Sequence, residues 1–508
     1  MTVLGEWQRL HRQTVTVTAL TLAGLSVSIG TPIVVGMLRD GDSHVGLVLL
    51  IALGAAVLLT GGGALVDRLR WRYTSYRVTD ERVELRFALV AHKLRSIPRE
   101  RVRTVDLTAN PLLRAFGLAK VKIGTGQQGS GEHSQLTLDP VGRAHAEELR
   151  RVLLERESVP TSASATRRAN PPLAELDWAW LRYAPISVTT PLLGAAAFGA
   201  VMQASDWFNL QGAIFRTVHD DLLGGVPVAG FVAVLVAAGL VIGFVGSLGL
   251  FVEMWWRYRL TRDGGVLRVH RGLFTTRSLS LEQRRLRGVD LFEALGSRLL
   301  GAARVDVVAT GLGSRSDRER SDPKTLLPPA PLVVAHRVAT AVLGASPVSD
   351  VDIRRHPRAA RSRRLRWSLL PVFLVVAVLG VLGALTTVVL LHLAWIAAMV
   401  LTPVAVALAL DDYRNLGHGL AGDYLVTRYG AGSRHTVALL RGGVIGWTVR
   451  SSPFQRRAGL ITLAATTAAG RGEYFVRDVD ESEGLAFAAE AVPGLLTPFL
   501  VAVPPPRD

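Results

Sequence analysis

Long uncharged runs alternate with polar, strand-patterned stretches along this chain. No charged residue occurs in Thr14–Leu38, Val45–Val66, Tyr183–Gln203, Val226–Val252 or Trp367–Leu410. A helix needs about 20 apolar residues to cross a bilayer core, so each of the first four runs predicts one membrane span. The fifth is roughly twice as long and predicts two helices with a tight turn near His392. Short polar loops join the runs in pairs, giving six transmembrane helices as three hairpins. A cleavable leader would have an apolar region of about 7–15 residues, so Thr14–Leu38 is expected to stay as an anchor.

Between hairpins the hydrophobic period falls to two. Tyr76–Phe87 predicts two strands about an Asp80-Glu81 turn. Lys120–Ile123 and Gln135–Leu138 predict a hairpin across a Gly-rich loop, and Asp139-Pro140 is expected to open a helix reaching Glu155. Tyr258-Arg-Leu-Thr261 echoes Tyr76-Arg-Val-Thr79, and Tyr424-Leu-Val-Thr427 is expected to be the first strand of a third stretch. Pro328–Leu343 and residues 482–492 are expected to close the second and third stretches as helices.

These stretches are copies of one unit. Arg101, Val105, Asp106, Leu107, Arg114, Gly117, Ala119 and Val121 reappear at one constant spacing as Arg285, Val289, Asp290, Leu291, Arg298, Gly301, Ala303 and Val305. A weaker third copy aligns Pro111, Arg114, Gly117 and Leu118 with Pro453, Arg456, Gly459 and Leu460. Self-similarity at fixed spacing means one structural unit reused. The expected organisation is hairpin 1 (1–70), module 1 (71–157), linker (158–177), hairpin 2 (178–254), module 2 (255–346), basic linker (347–366), hairpin 3 (367–410), module 3 (411–496) and tail (497–508).

Charge fixes an orientation. The 508 residues carry a net charge of +17, nearly all from arginine, the preference of a GC-rich genome. The turns at 39–44 and 204–225 each hold one Arg, while 67–182, 253–366 and 411–508 are Arg-rich. Positive residues stay on the cytoplasmic side, so all three modules and both termini are expected inside. Basic and aromatic residues cluster where spans end: Arg68, Arg70, Trp71, Arg72, then Trp255, Trp256, Arg257, then Arg363, Arg364, Arg366, Trp367. Such clusters suit anionic headgroups, each basic residue adding about 1 kcal/mol near the surface.

The hairpin, the Tyr-x-[Val/Leu]-Thr strand, Ile97-Pro98-x-x-Arg101-Val102-x-x-Val105 read as one strand, and Arg114-x-Phe116-Gly117-Leu118-Ala119 together resemble the bacterial pleckstrin-homology-like membrane proteins of the YdbT type. Ser452-Pro453-Phe454-Gln455-Arg456-Arg457-Ala458-Gly459-Leu460 is similar to the same family. The resemblance covers nearly the whole chain. It implies an α+β membrane protein whose modules are pleckstrin-homology-like: two packed antiparallel sheets plus a C-terminal helix. The repeat residues Arg101, Arg114, Gly117, Arg285, Arg298, Gly301, Arg456 and Gly459 are expected to be structural or binding positions. Glu282 stands where Pro98 would recur, and Gly443 where Arg101 would. Each motif glycine should end a short helix at positive φ.

Nothing carries a reaction. With no cysteine, thiol chemistry is excluded. Gly124-x-Gly126-x-x-Gly129 runs into another strand rather than a helix, so it reads as a hairpin loop. His133, His145, His336, His356, His418 and His435 look scattered and are expected at the surface, without metal or cofactor. Asp411-Asp412 is expected to be a solvated helix end, and Gly239-x-x-x-Gly243 a packing motif within the bundle or, in second place, a dimer seam. The expected function is a non-enzymatic scaffold at the inner membrane of a bacterium, presenting its modules to anionic lipid or to protein partners in the same membrane, in envelope maintenance or stress response. Nucleic acid is not expected, because the aromatics sit at helix ends rather than on a strand face. The alternative is a lipid-handling or transport protein using the six-helix bundle, which is disfavoured because the spans hold no ionisable group apart from His392 at a turn.

Overall fold

A computed structural model describes residues 5–39, 45–88, 92–102, 104–124, 135–154, 171–186, 189–207, 228–310, 324–496 and 498. The chain divides into two compact units, Met1–Glu282 and Gln283–Asp508.

In the first unit β1 (Gln8–Arg9) precedes helix α1 (Thr14–Arg39), which pairs with α2 (Val45–Tyr73). Next come β2 (Thr74–Val78), β3 (Arg82–Ala88) and β4 (His92–Pro98), giving an antiparallel sheet ordered β1-β2-β3-β4. A 3-10 turn, Arg99–Arg101, carries the chain into a second sheet through β5 (Thr104–Ala109). Helix α3 (Pro111–Ala115) follows, started by the Asn110 side chain accepting from the Leu113 N–H. β6 (Leu118–Gly124), β7 (Gln135–Gly142) and α4 (Arg143–Leu154) complete the module. Tyr76, Val83 and Ile97 of one sheet meet Val105, Val121, Ile123, Leu136 and Leu138 of the other, and Ala146, Leu149 and Leu153 of α4 close the core. This is the helix-closed pair of sheets that the resemblance implies.

The chain resumes at β8 (Ala174–Glu175), then α5 (Thr189–Trp207) and α6 (Val228–Trp255). A Cβ at Gly194 would lie 2.2 Å from the Gly239 carbonyl oxygen, and one at Gly243 would lie 2.2 Å from that of Thr190. The Gly239-x-x-x-Gly243 spacing thus serves backbone approach within the chain. β9 (Arg259–Asp263), β10 (Val266–Arg271) and β11 (Thr276–Glu282) end the unit. β11 pairs antiparallel with β5, Leu281 opposite Thr104 and Leu279 opposite Asp106. The result is one seven-stranded sheet, β7-β6-β5-β11-β10-β9-β8.

The second unit repeats this join. It holds β12 (Leu286–Glu293), α7 (Leu295–Leu299), β13 (Ala302–Ala309), β14 (Thr325–Pro331), α8 (Leu332–Leu343), α9 (Pro347–Asp350) and helices α10 (Arg358–Leu385) and α11 (Val388–Asn415). After these come β15 (Gly417–Ala421), β16 (Tyr424–Tyr429), β17 (Arg434–Leu440), β18 (Val444–Arg450), α12 (Pro453–Arg456), β19 (Leu460–Thr467), β20 (Glu473–Asp480) and α13 (Glu481–Ala491). β17 pairs with β12 in the sheet β14-β13-β12-β17-β16-β15, while β18-β19-β20 stands as a separate sheet. Leu425, Val437 and Leu439 pack with Leu460, Leu463 and Val476, and with Phe487, Ala488 and Ala491 of α13.

Among the described residues, five helices are long and apolar enough to span a membrane. The stretch Trp178–Ile186 and the helix after it qualify only together, with their axes 68° apart, so the expected third span is not one straight helix.

Several expectations need correction. Asp139 and Pro140 lie in β7, and the helix begins only at Arg143, because β7 stays paired with β6 as far as Gly142, opposite Leu118. Ile97 and Val105 belong to strands of different sheets, parted by the 3-10 turn. Tyr424–Thr427 lies in the second strand of module 3, since Gly417–Ala421 precedes it. Pro328 lies in β14, before the helix. The basic stretch from Arg358 to Arg366 forms the first turns of α10 rather than a linker, and the turn of hairpin 3 falls at Thr386-Thr387, ahead of His392. Residues 125–134 and 311–323, with His133, and Arg101's side chain lie outside the described part.

Candidate functional site: the junctions of helices and sheets

Each motif glycine takes the left-handed backbone expected of it: φ is 65° at Gly117, 64° at Gly301 and 62° at Gly459. That bend turns the chain from the short helix into the next strand. It also leaves the motif arginine on the outer face of the short helix. The Arg114 guanidinium reaches the Leu273 carbonyl oxygen in the β10–β11 turn at 2.7 Å. The same turn is held from the membrane side, where the Glu253 carboxylate on α6 accepts from the N–H groups of Phe274 and Thr275.

The second unit has the same device. Arg298 pairs with Asp411 on α11 at 2.7 Å. Asp411 also accepts from the Gly432 N–H in the β16–β17 turn and from Asn415. Asp411 is therefore an engaged anchor and not a solvated helix end. Arg456, the third motif arginine, is exposed and makes no ion pair or side-chain hydrogen bond with the described residues. Arg285 is buried in its 3-10 turn.

A denser cluster joins the start of α10 to module 3. Asp478 is fully buried with φ 56°. Its carboxylate accepts from Arg363, Arg364 and Gln455. Arg364 also reaches Asp412 at 2.6 Å. The Asp478 carbonyl oxygen accepts from His356 Nδ1, so His356 Nε2 is left to accept from His418 Nδ1, 3.0 Å away. These two histidines are buried, contrary to the surface positions expected of them. Burial pushes the His418 imidazole down to about 3, helped by His356 and Arg354, and burial lowers His356 as well. His435 is likewise engaged, 2.9 Å from Asp290 across the β12–β17 seam.

Beside Asp478 opens a cavity of about 480 Å³ lined by Arg363, Arg364, Arg450, Arg477, Ser452 and Gln455 among others. Arg450 is paired with Glu473, whereas Arg477 lies over the Tyr429 and Phe475 rings. Elsewhere at the helix ends, Trp71 donates to the Leu10 carbonyl oxygen, Trp255 lies under Arg271, and Trp256 meets Trp178 edge-on. Arg68, Arg70, Arg72, Arg257, Arg366 and Trp367 are exposed.

Glu253 and Asp478 were not singled out from sequence, whereas Asp411, His356 and His418 were read as a solvated helix end and surface histidines. The spacing that relates β9–β13 to β15–β19 also relates Glu253 to Asp411, which would have revealed that pair.

This architecture, sheets closed by a C-terminal helix and tied to apolar helices, is matched by the family described as Bacterial PH domain over residues 21–157 and 371–490. Together those matches cover just over half of the chain, and the chain belongs to that family. It is also 21% identical over 457 residues to the UPF0699 transmembrane protein YdbT of Bacillus subtilis (strain 168), covering 85% of this chain and 87% of that one. No solved structure matches it.

Proposed function

We propose that the protein is a non-enzymatic scaffold of the bacterial inner membrane. Six spans, arranged as three hairpins, would hold three cytoplasmic modules that bind anionic lipid, protein partners or both, in envelope maintenance or stress response. The observation that carries this reading is the doubled clasp: Glu253 and Asp411 fasten a sheet turn to the end of an apolar helix in each unit. Such fastening sets a module's orientation to the bilayer, as a presenting surface requires. Anionic headgroups suit the arginine-lined cavity at the foot of α10, where Arg477 has aromatic neighbours but no carboxylate partner among the described residues.

The absence of cysteine allows a clean test. Ser451→Cys in intact cells should resist a membrane-impermeant maleimide and react once the cells are opened. Pull-down from detergent extract with lipid analysis should recover anionic lipid or a specific membrane protein. Arg477→Ala should lose lipid while keeping its thermal midpoint, whereas Arg114→Ala and Arg298→Ala should lose stability first. Labelling from outside, or recovery of neither lipid nor partner, overturns the proposal.

A further inference from the structure

In both seams the second sheet of one module receives the first sheet of the next: β5 takes β11, and β12 takes β17. A motif arginine from the receiving module then grips the incoming one, Arg114 at its turn and Arg298 at its helix end. The third module has the same receiving parts. β18 occupies the place of β5 and β12, and no described strand pairs with its outer edge.

Burial follows. Leu107 and Leu291 are 8% and 1% exposed in their seams, whereas Val449, at the matching position of β18, is 46% exposed. Ile445 is 63% exposed beside it. A Cβ at Gly288 would lie 2.1 Å from the carbonyl oxygen of Ala438 on β17, so that glycine is demanded by the incoming strand. Gly446 repeats it, at the same register shift, with nothing within 4 Å. Arg456 is exposed as well, with no ion pair to a described residue. Among the described residues, strand edge, glycine and arginine are thus vacant together.

We propose that the β18 edge and Arg456 receive a strand from a separate membrane-anchored protein built like β15–β17, with a carboxylate at the end of its membrane helix. Unpaired backbone N–H and C=O groups of an edge strand are a template for such an addition. The open edge of this chain's own first sheet, β4, follows α2, where Leu69 stands at the position that Glu253 and Asp411 hold on α6 and α11, so a second copy brings Arg456 no carboxylate there. A second copy is therefore the poorer occupant.

The proposal deepens the protein-binding half of the scaffold reading and rests on it for the membrane setting only. A photocrosslinking amino acid placed at Ile445 or Val449 of the full chain, in intact membranes, tests it. The expected crosslink falls in a strand of another protein, downstream of an apolar helix that ends in Asp or Glu. Arg456→Glu should reduce that crosslink at least tenfold with the thermal midpoint unchanged, and exchanging the partner's carboxylate for Arg should restore it. Crosslinks to a second copy, to a segment of other build, or none at all overturn it. If a partner is recovered by pull-down but crosslinks only elsewhere, the scaffold reading stands and the docking edge alone falls.

Discussion

Arg363 holds both carboxylate oxygens of Asp478, at 2.6 and 2.7 Å, on a strand residue with no solvent exposure. The pair joins the first turns of a membrane helix to the last strand of a module. Arg364, Gln455 and the backbone contact to His356 make it the densest polar node among the described residues.

Asp478→Asn keeps a residue that tolerates positive φ but removes the charge between two arginines. Breaking a buried pair this way costs about 3 kcal/mol or more. The thermal midpoint of the detergent-solubilised protein should fall, and amide exchange in β20 should accelerate.

Asp411 has three partners and Arg298 reaches it as one of them. Asp411→Ala should therefore cost about 2 kcal/mol and Arg298→Ala about 1, from hydrogen bonds to a charged, partly buried group. Denaturant midpoints of the two variants give the order. Equal losses would mean that the turn contact contributes nothing.

Gly243→Ala places a Cβ against the backbone of α5, so the two helices must part, at a cost of about 1–3 kcal/mol. Gly249→Ala on the same helix meets nothing and should be neutral or slightly stabilising. Thermal scans in one detergent compare them.

His418 is held neutral, its folded value of about 3 lying below the ordinary 6.5. The unfolded chain then binds more protons between those values, so stability rises with pH there. Its contribution is present in full above about pH 6.5 and is lost as pH falls towards 3, by at most about 1.4 kcal/mol per pH unit. His418→Gln should flatten the decline of the midpoint between pH 6.5 and 4.5.

The alternation of apolar runs and strand-patterned stretches was legible without coordinates, because membrane helices and alternating strands leave one-dimensional signatures. So was the positive φ of Gly117, Gly301 and Gly459, since a recurring glycine after a short helix has a local backbone reason. Local reasoning failed at Asp139-Pro140, where helix-starting residues sit in a strand that Lys120 engages from β6.

The sequence by itself determined the membrane class, the repeated module and the position of each module's bends, all of which depend on neighbours along the chain. Only the tertiary structure decided that the modules share sheets through β5–β11 and β12–β17, because strand pairing joins residues distant in sequence. It also decided which charges are spent. Arg298, Arg363 and Arg364 are engaged, and Arg456 has no ion-pair partner among the described residues. An arginine's partner is fixed by what folds against it, and one-dimensional spacing does not carry that.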